Sequence, residues 1–341
     1  MADPLLIDAN SIVARCIMAT APDEIANDLP FTGGIYGSLN MLSRVLGERA
    51  VNAGRIVACF DHSPPPRRYR LIPGYKKTKL PAEVPGEAVE DTYPFETYDQ
   101  KAEAFEQIFA VKAVLQTLGV TCLCYRQREA DDVLGAVAHI YIDRGERPII
   151  VTSDRDLWQT IGWGARVWDL TNKEMIDAGN FNAHTNVSTD TFVLYKALLG
   201  DPSDKIKGVR GMGKTKLPEL FERAHWDIRI CREPKDQLAS LCAFLGTQRK
   251  RSKAEANLIR DRKRIERVIQ GIDLRTSFGP TEALEARLDE EPPEVDWRAF
   301  CRVFKAVGLG RQLGVHTRYT RPFARAAKNA CVKGGNASSS R

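Results

Sequence analysis

The stretch RPIIVTSDRDLWQTI, residues 147–161, decides the fold class. Its PIIVT segment is a short run rich in β-branched residues, the composition of a buried strand, and it runs directly into Asp154 and Asp156. Similar runs recur outward in both directions: PLLIDA (4–9), RIVACF (55–60), GVTCLCY (119–125) and RVWDL (166–170). Helical periodicity fills most of the intervals, as at Ile35, Leu39, Leu42 and Leu46, and again at Phe105 and Phe109 after the capping-box pattern Thr97-x-x-Gln100. This alternation predicts an α/β fold with a mostly parallel central sheet and flanking helices.

Carboxylates cluster where open α/β sheets place their sites, at the C-terminal ends of strands. Asp8 ends LLID, Asp61 ends VACFD, and Glu129, Asp131 and Asp132 open a helix just after the strand that stops at Tyr125. Asp201 and Asp204 follow in GDPSD. Any one of these acids reads as a helix cap. As a set, they would repel one another unless a divalent cation neutralised them, and ligation by oxygen alone points to Mg²⁺ or Mn²⁺ and to phosphate chemistry.

Charge is distributed unevenly along the 341 residues. Residues 297–341 carry ten Lys/Arg and no acid, so the net +6 leaves −4 for the rest. Such asymmetry suggests a polyanionic partner met by local basic patches. Residues 62–79 hold six Lys/Arg and no acid, whereas residues 80–106 hold eight acids against Lys101, which marks 62–99 as a long insertion between a strand and a helix. After residue 185 strand signals fade and helices are predicted at 190–199, 214–223, 235–246, 253–270 and 296–307. The last twenty or so residues are expected to form a disordered basic tail. No apolar run reaches membrane-span length and no signal peptide is evident, while the eight cysteines lack a CxxC pair; a reducing cytoplasm is expected.

The ordered series LLIDANS, ACFD, YKKTK, READDVLGAVA, TSDRDLWQTI and GDPSDKIKGVRGMGKTKLPELF, spanning roughly residues 4–225, resembles the flap endonuclease and 5'-3' exonuclease family, and its bacterial and phage branch most closely. The resemblance implies two divalent metals about 3.5–4 Å apart or slightly wider, used for phosphodiester hydrolysis that leaves a 5'-phosphate and a 3'-hydroxyl. By motif, Asp8, Asp61, Glu129 and Asp131 would form the tighter ligand group, and Asp132, Asp154, Asp156, Asp201 and Asp204 the second, partly through water. Arg15 and Lys76 take the positions of the catalytic cations that grip the scissile phosphate.

Residues 63–99 match a helical arch through which a free 5' strand threads. Arg67, Arg68, Arg70, Lys77 and Lys79 would attract phosphates there, and Tyr69 and Tyr75 would stack on bases. GVRGMGKTK resembles a helix-two-turn-helix, at about 190–224, that grips the duplex backbone. Its glycines 208, 211 and 213 would allow close phosphate approach, while Lys205, Lys207, Arg210, Lys214 and Lys216 supply charge. In relatives the hairpin carbonyls can hold K⁺. The segment 208–215 also matches a P-loop formally, but no strand precedes it.

The expected organisation is a nuclease unit over 1–185 with the arch at 63–99, a helical DNA-binding lobe over 186–310 and a tail over 311–341. The expected protein is a stand-alone, monomeric 5' nuclease acting on DNA ends or flaps in replication or repair, with RNA–DNA hybrid as a further substrate class. The alternative is a non-catalytic DNA-binding protein on the same scaffold, which would require loss of metal ligands.

Overall fold

The computed structural model describes residues 2–27, 29–63, 65–76, 98–225, 230–311 and 316–334. A six-stranded sheet in the order β3-β2-β1-β4-β5-β6 is built from β1 (Asp3–Asp8), β2 (Ala53–Phe60), β3 (Thr121–Cys124), β4 (Ile149–Thr152), β5 (Arg166–Asp169) and β6 (Glu174–Ile176). The first five run parallel, and β6 closes one edge antiparallel to β5. From β1 the chain moves outward through β2 and β3, then returns to the other side of β1 for β4. The reversal leaves a crevice at the C-terminal ends of β1 and β4, where α/β folds hold their ligands.

The two-residue period of β1 sorts its side chains between two apolar layers. Leu5 and Ile7 join one layer with α1 (Ala9–Ala26), α2 (Gly33–Val45) and α4 (Tyr98–Thr117), through Ile12, Ile17, Leu39, Leu42, Val114 and Leu115. Leu6 faces the other layer, with Val133, Leu134 and Val137 of α5 (Ala130–Asp143) and with Leu157 and Trp158 of the 3-10 turn at Arg155–Trp163. That second layer continues into helices α6 (Phe181–Thr185), α7 (Phe192–Leu199), α8 (Lys216–Arg223), α9 (Pro234–Thr247) and α10 (Lys253–Ile272), the last opened by a Ser252/Glu255 capping box. Trp158 and Trp168 are buried, and Trp163 is partly buried against the second layer.

Several expectations need correction. Of the expected disordered tail over 311–341, residues 316–334 are instead helical: α13 (His316–Gly334) follows α11 (Glu282–Asp289) and α12 (Trp297–Ala306) and packs on α2 and β2, while 312–315 and 335–341 lie outside the described residues. Phe323 is fully buried beside Phe300 and Phe304, and Asn329 Nδ2 donates to the Ala53 carbonyl at 3.1 Å. Burying one such ring is worth about 1.5–3 kcal/mol, which adds to the packing of the helix on α2 and β2. Phe109 points away from the core, 75% exposed, because α4 packs through Val111, Val114 and Leu115 instead. A two-stranded hairpin, β7 (Gly200–Asp201) with β8 (Ile206–Lys207), stands where only a loop was expected. Of the basic insertion, α3 (Pro66–Leu71) is described; Thr97, Lys77, Lys79 and most of the acidic stretch lie outside the described residues.

Candidate active site

Asp8, Asp61, Asp131 and Asp154 meet at the β1/β4 crevice. Asp8 caps α1, accepting from Ser11 N at 3.2 Å, while Thr152 Oγ1 of β4 donates to its Oδ2 at 2.7 Å. Only 3% exposed, its carboxyl is pushed up to about 6, first by burial and then, against its hydrogen bonds, by the Asp61 charge. Asp61, one residue beyond β2, accepts from Ala130 N at 2.6 Å and so ties that strand to the start of α5; Asn10 Oδ1 holds its own amide at 3.0 Å. Burial and the neighbouring Glu129 raise it.

Asp131 lies well above the ordinary carboxylate range through burial and then repulsion from Asp154, Asp8 and Asp61. Asp154 is pushed up to about 7 by the surrounding protein, then by Asp156 and Asp8. Asp8 is buried and Asp131 half-buried while Asp61 and Asp154 stay exposed, and four raised carboxyls gathered in one crevice call for protons or a divalent cation. Their donor set, oxygen only, fits Mg²⁺ or Mn²⁺. Among the described residues, no three His, Cys, Asp or Glu side chains form a closed ligand set.

Other acids expected as ligands are already engaged. Glu129 receives Arg68, Tyr75 Oη at 2.9 Å and Lys76 Nζ at 2.9 Å; against its burial, these cations hold it below its usual range. Asp132 is 1% exposed, pairs with Arg68 Nη2 at 2.7 Å and accepts the Glu129 amide at 3.2 Å. It is therefore a helix-capping, ion-paired interior acid rather than a member of the open cluster. Asp156 and Asp201 share Lys196 Nζ, at 2.6 and 3.3 Å. Asp204 sits 4.0 Å from Lys76 Nζ and offers its carbonyl to the Lys76 amide at 3.1 Å. Burial raises its carboxyl while Lys76 opposes the shift.

Lys196 was not anticipated. In FVLYKALL it looks like a helix-surface residue, and the only signal was a lone cation five positions before Asp201. Lys76 stands at φ +41°, a left-handed conformation unusual for a non-glycine, pinned by Asp204 and Glu129. Arg15 is exposed two turns along α1 from Asp8, one turn past Ser11, whose hydroxyl contacts Ser153 Oγ at 2.9 Å.

Arg68 and Tyr75 depart from the arch-surface role expected of them. Arg68 is 5% exposed, bonding Gly271 O at 3.1 Å as well as Glu129 and Asp132, and Tyr75 is 2% exposed beneath it. The cause is the seat of α3 on α10: a Cβ on Gly271 would lie 2.6 Å from Ile72 Cδ1, so glycine here lets the two pack closely without moving Ile72, and the approach carries Arg68 inward. Arg67 is tied to the Gln270 carbonyl and to Thr276 Oγ1 at 2.8 Å, while Tyr69 and Arg70 remain exposed.

The hairpin that follows has Lys205, Lys207, Arg210, Lys214 and Lys216 all exposed. Gly200 and Gly208 let its strands touch: a Cβ on Gly208 would fall 2.1 Å from the Leu199 carbonyl, and one on Gly200 2.3 Å from the Gly208 amide. Gly211 adopts φ +88° against Ala254, whereas Gly213 opens to free space. The strand before Gly208 is a two-residue antiparallel stub, which is not the parallel strand a P-loop needs.

Divalent binding should couple to pH in a defined direction. Carboxyls raised in the fold bind protons more tightly than in the unfolded chain, so their contribution favours folding in acid and is lost as pH rises through about 6 to 7. A cation relieves that cost. The rise in melting temperature on adding Mg²⁺ is expected to be larger at pH 8 than at pH 5.5, and an equal rise at both would dissociate the metal from this cluster.

A family model for the 5'-3' exonuclease N-terminal resolvase-like domain matches residues 3–186, more than half of the chain. The 5'-3' exonuclease of Mycoplasma genitalium is 29% identical over 231 residues, covering 65% of this chain and 72% of its own length. DNA polymerase I of Caldicellulosiruptor bescii is 26% identical over 224 residues, and there the chain spans only 24% of the polymerase. Among solved structures, T5 5'-exonuclease with bound divalent metal ions superimposes with a TM-score of 0.59 at 17% identity, covering 89% of this chain and 97% of its own. The bacteriophage T5 flap endonuclease in a pseudo-enzyme-product complex with DNA and metal ions gives 0.59 at 16% identity, covering 89% and 99%. At such identity these structures speak to the fold, and the sheet with its flanking helices matches theirs. Taken with the family-model match and the acids lining the sheet's switch point, they place this chain in the 5'-3' exonuclease family.

Proposed function

We propose that the chain is a metal-dependent 5' nuclease that removes terminal nucleotides or flaps from DNA in replication or repair, with RNA–DNA hybrid as a second substrate class, working as a monomer in the cytoplasm. The observation that carries this reading is the gathering of Asp8, Asp61, Asp131 and Asp154, all with raised carboxyls, at the switch point, with Lys76 beside Asp61 and Arg15 two turns along α1. Asp8, Asp61, Asp131 and Asp154 would hold Mg²⁺ or Mn²⁺, with Glu129, Asp156, Asp201 and Asp204 available once their lysines yield to the ion. Bound there, two such cations would supply an activated water and charge stabilisation for in-line hydrolysis.

The chain's own groups do the rest. Lys76 and Arg15 draw the scissile phosphate towards the acids, Arg70 and Tyr69 face the passing strand, and the hairpin lysines grip the duplex backbone. A Mg²⁺ titration with a 5'-labelled flap and a recessed duplex tests the proposal. Absence of metal-dependent cleavage of both would leave only the DNA-binding alternative.

Two lysines should separate binding from chemistry. Lys76→Ala is expected to lower the single-turnover rate by about 10²–10³-fold while changing duplex affinity little, as for a group acting mainly in the transition state. Lys214→Ala should weaken binding and reduce the log-log salt slope by about 0.9 with little change in rate at saturation. The same ratio of binding loss to rate loss in both variants would erase the distinction.

A further inference from the structure

The hairpin contains a cation of its own. Arg264, projecting from α10, donates through Nη1 to the Lys207 carbonyl and through Nη2 to the Gly208 carbonyl at 2.9 Å, while Asp261 Oδ2 holds the same Nη2 at 3.0 Å. The rest of the turn is similarly provided for: Val209 O accepts from Met212 N at 3.0 Å, Arg210 O from Asn257 Nδ2 at 3.0 Å, Gly211 O from Lys216 Nζ at 3.3 Å and Gly213 O from Leu217 N at 3.1 Å. Six of the seven carbonyls from Lys207 to Gly213 thus meet a protein donor, three of them a charged one.

The K⁺ that the family resemblance implies does not fit this arrangement. A monovalent ion needs several free carbonyl oxygens pointing to one place, and here the guanidinium lies on two consecutive ones. An ion close enough to share them would stand within a few ångströms of a fixed positive charge.

We propose that Arg264 takes the place of a monovalent cation in this hairpin, holding the Lys207–Gly208 backbone in the shape that meets a duplex phosphate, so that DNA binding does not depend on K⁺. The inference rests on the duplex-gripping role proposed above. The planar fork of arginine suits two neighbouring carbonyls, and the carboxylate of Asp261 fixes its orientation. Arg264 is therefore a positioning residue that acts through the backbone of the hairpin. Ser252, Glu255 and Asn257, near the start of the same helix, show why it can do so: the capping box fixes α10, and Asn257 clamps the far side of the turn.

The test is equilibrium binding of a fluorescent DNA duplex in EDTA, where no cleavage occurs, in KCl, NaCl and LiCl at one ionic strength. Wild-type affinities are expected to agree within about twofold. Arg264→Ala should bind about tenfold more weakly in LiCl and recover about threefold in KCl, as the vacated carbonyls accept the larger, more readily dehydrated ion. Arg264→Lys, with charge but no fork, should fall between the two.

The wild-type comparison needs no variant to fold. A loss of more than about fivefold when Li⁺ replaces K⁺ would overturn the proposal by itself. Unchanged affinity of Arg264→Ala would overturn it too, as would an equal loss in all three salts, which marks an ordinary phosphate contact. Failure of the nuclease reading looks different: absent metal-dependent cleavage with duplex binding equal in KCl, NaCl and LiCl sinks that reading and leaves this one standing, whereas no duplex binding in any salt removes the hairpin's proposed role altogether.

Discussion

Asp131→Asn is expected to abolish metal-dependent cleavage, lowering the single-turnover rate by at least about 10³-fold, and at the same time to raise the melting temperature of the metal-free protein at pH 8. Both effects come from one fact. Asp131 is half-buried and repelled by Asp154, Asp8 and Asp61, so its charge costs the metal-free protein stability until a cation is bound. Neutralising it removes the repulsion and the ligand together. The comparison is a pair of melting curves in EDTA and a quench-flow time course with Mg²⁺. A variant that stays active, or that melts lower in EDTA, would show that Asp131 is an ordinary helix residue and that the crevice is not strained by its own charges.

The second large effect is on stability. Arg68→Met should cost about 3–5 kcal/mol, because it leaves Glu129 and Asp132 buried without their shared cation. The methionine fills part of the space, so the loss is electrostatic rather than a cavity effect. Adding Asp132→Asn to Arg68→Met should recover part of the loss, since one of the two stranded charges is gone, and a thermodynamic cycle in urea measures the coupling. A cost for Arg68→Met below about 1 kcal/mol would mean that Arg68 is a surface cation after all.

The acids of the crevice were legible in the sequence because their signal is positional. An Asp at the end of a β-branched run must sit at the sheet's C-terminal edge, whatever the helices do. Residues placed by helix seating were not. PRRYRL presents three arginines as equivalent charges, yet one lies under α3 against Gly271, one is tied to α10 and one is exposed; composition does not record which face a short helix turns inward. Lys196 was hidden for the opposite reason, as a single polar residue in an apolar helix. In the C-terminal helix, Thr320, Phe323 and Ala326 form a buried stripe only one residue wide, interrupted by Pro322 and surrounded by arginines. A stripe so thin falls below what periodicity detects, although one phenylalanine in the right socket helps to hold the element.

That socket has a consequence for how the protein comes into being on the ribosome. The layer around Leu5 and Ile7 of the first strand is completed by Phe300, Phe304 and Phe323, supplied some three hundred residues later. Translation at about 5–20 residues per second leaves the earliest strand waiting many seconds for its last covering. The nascent chain therefore carries an apolar flank on the α2 side that stays uncovered until Phe300, Phe304 and Phe323 have been made. Termination after Asp204 but before Phe323 produces a chain that retains the whole set of crevice acids but exposes that flank, a species suited to degradation rather than to cutting DNA.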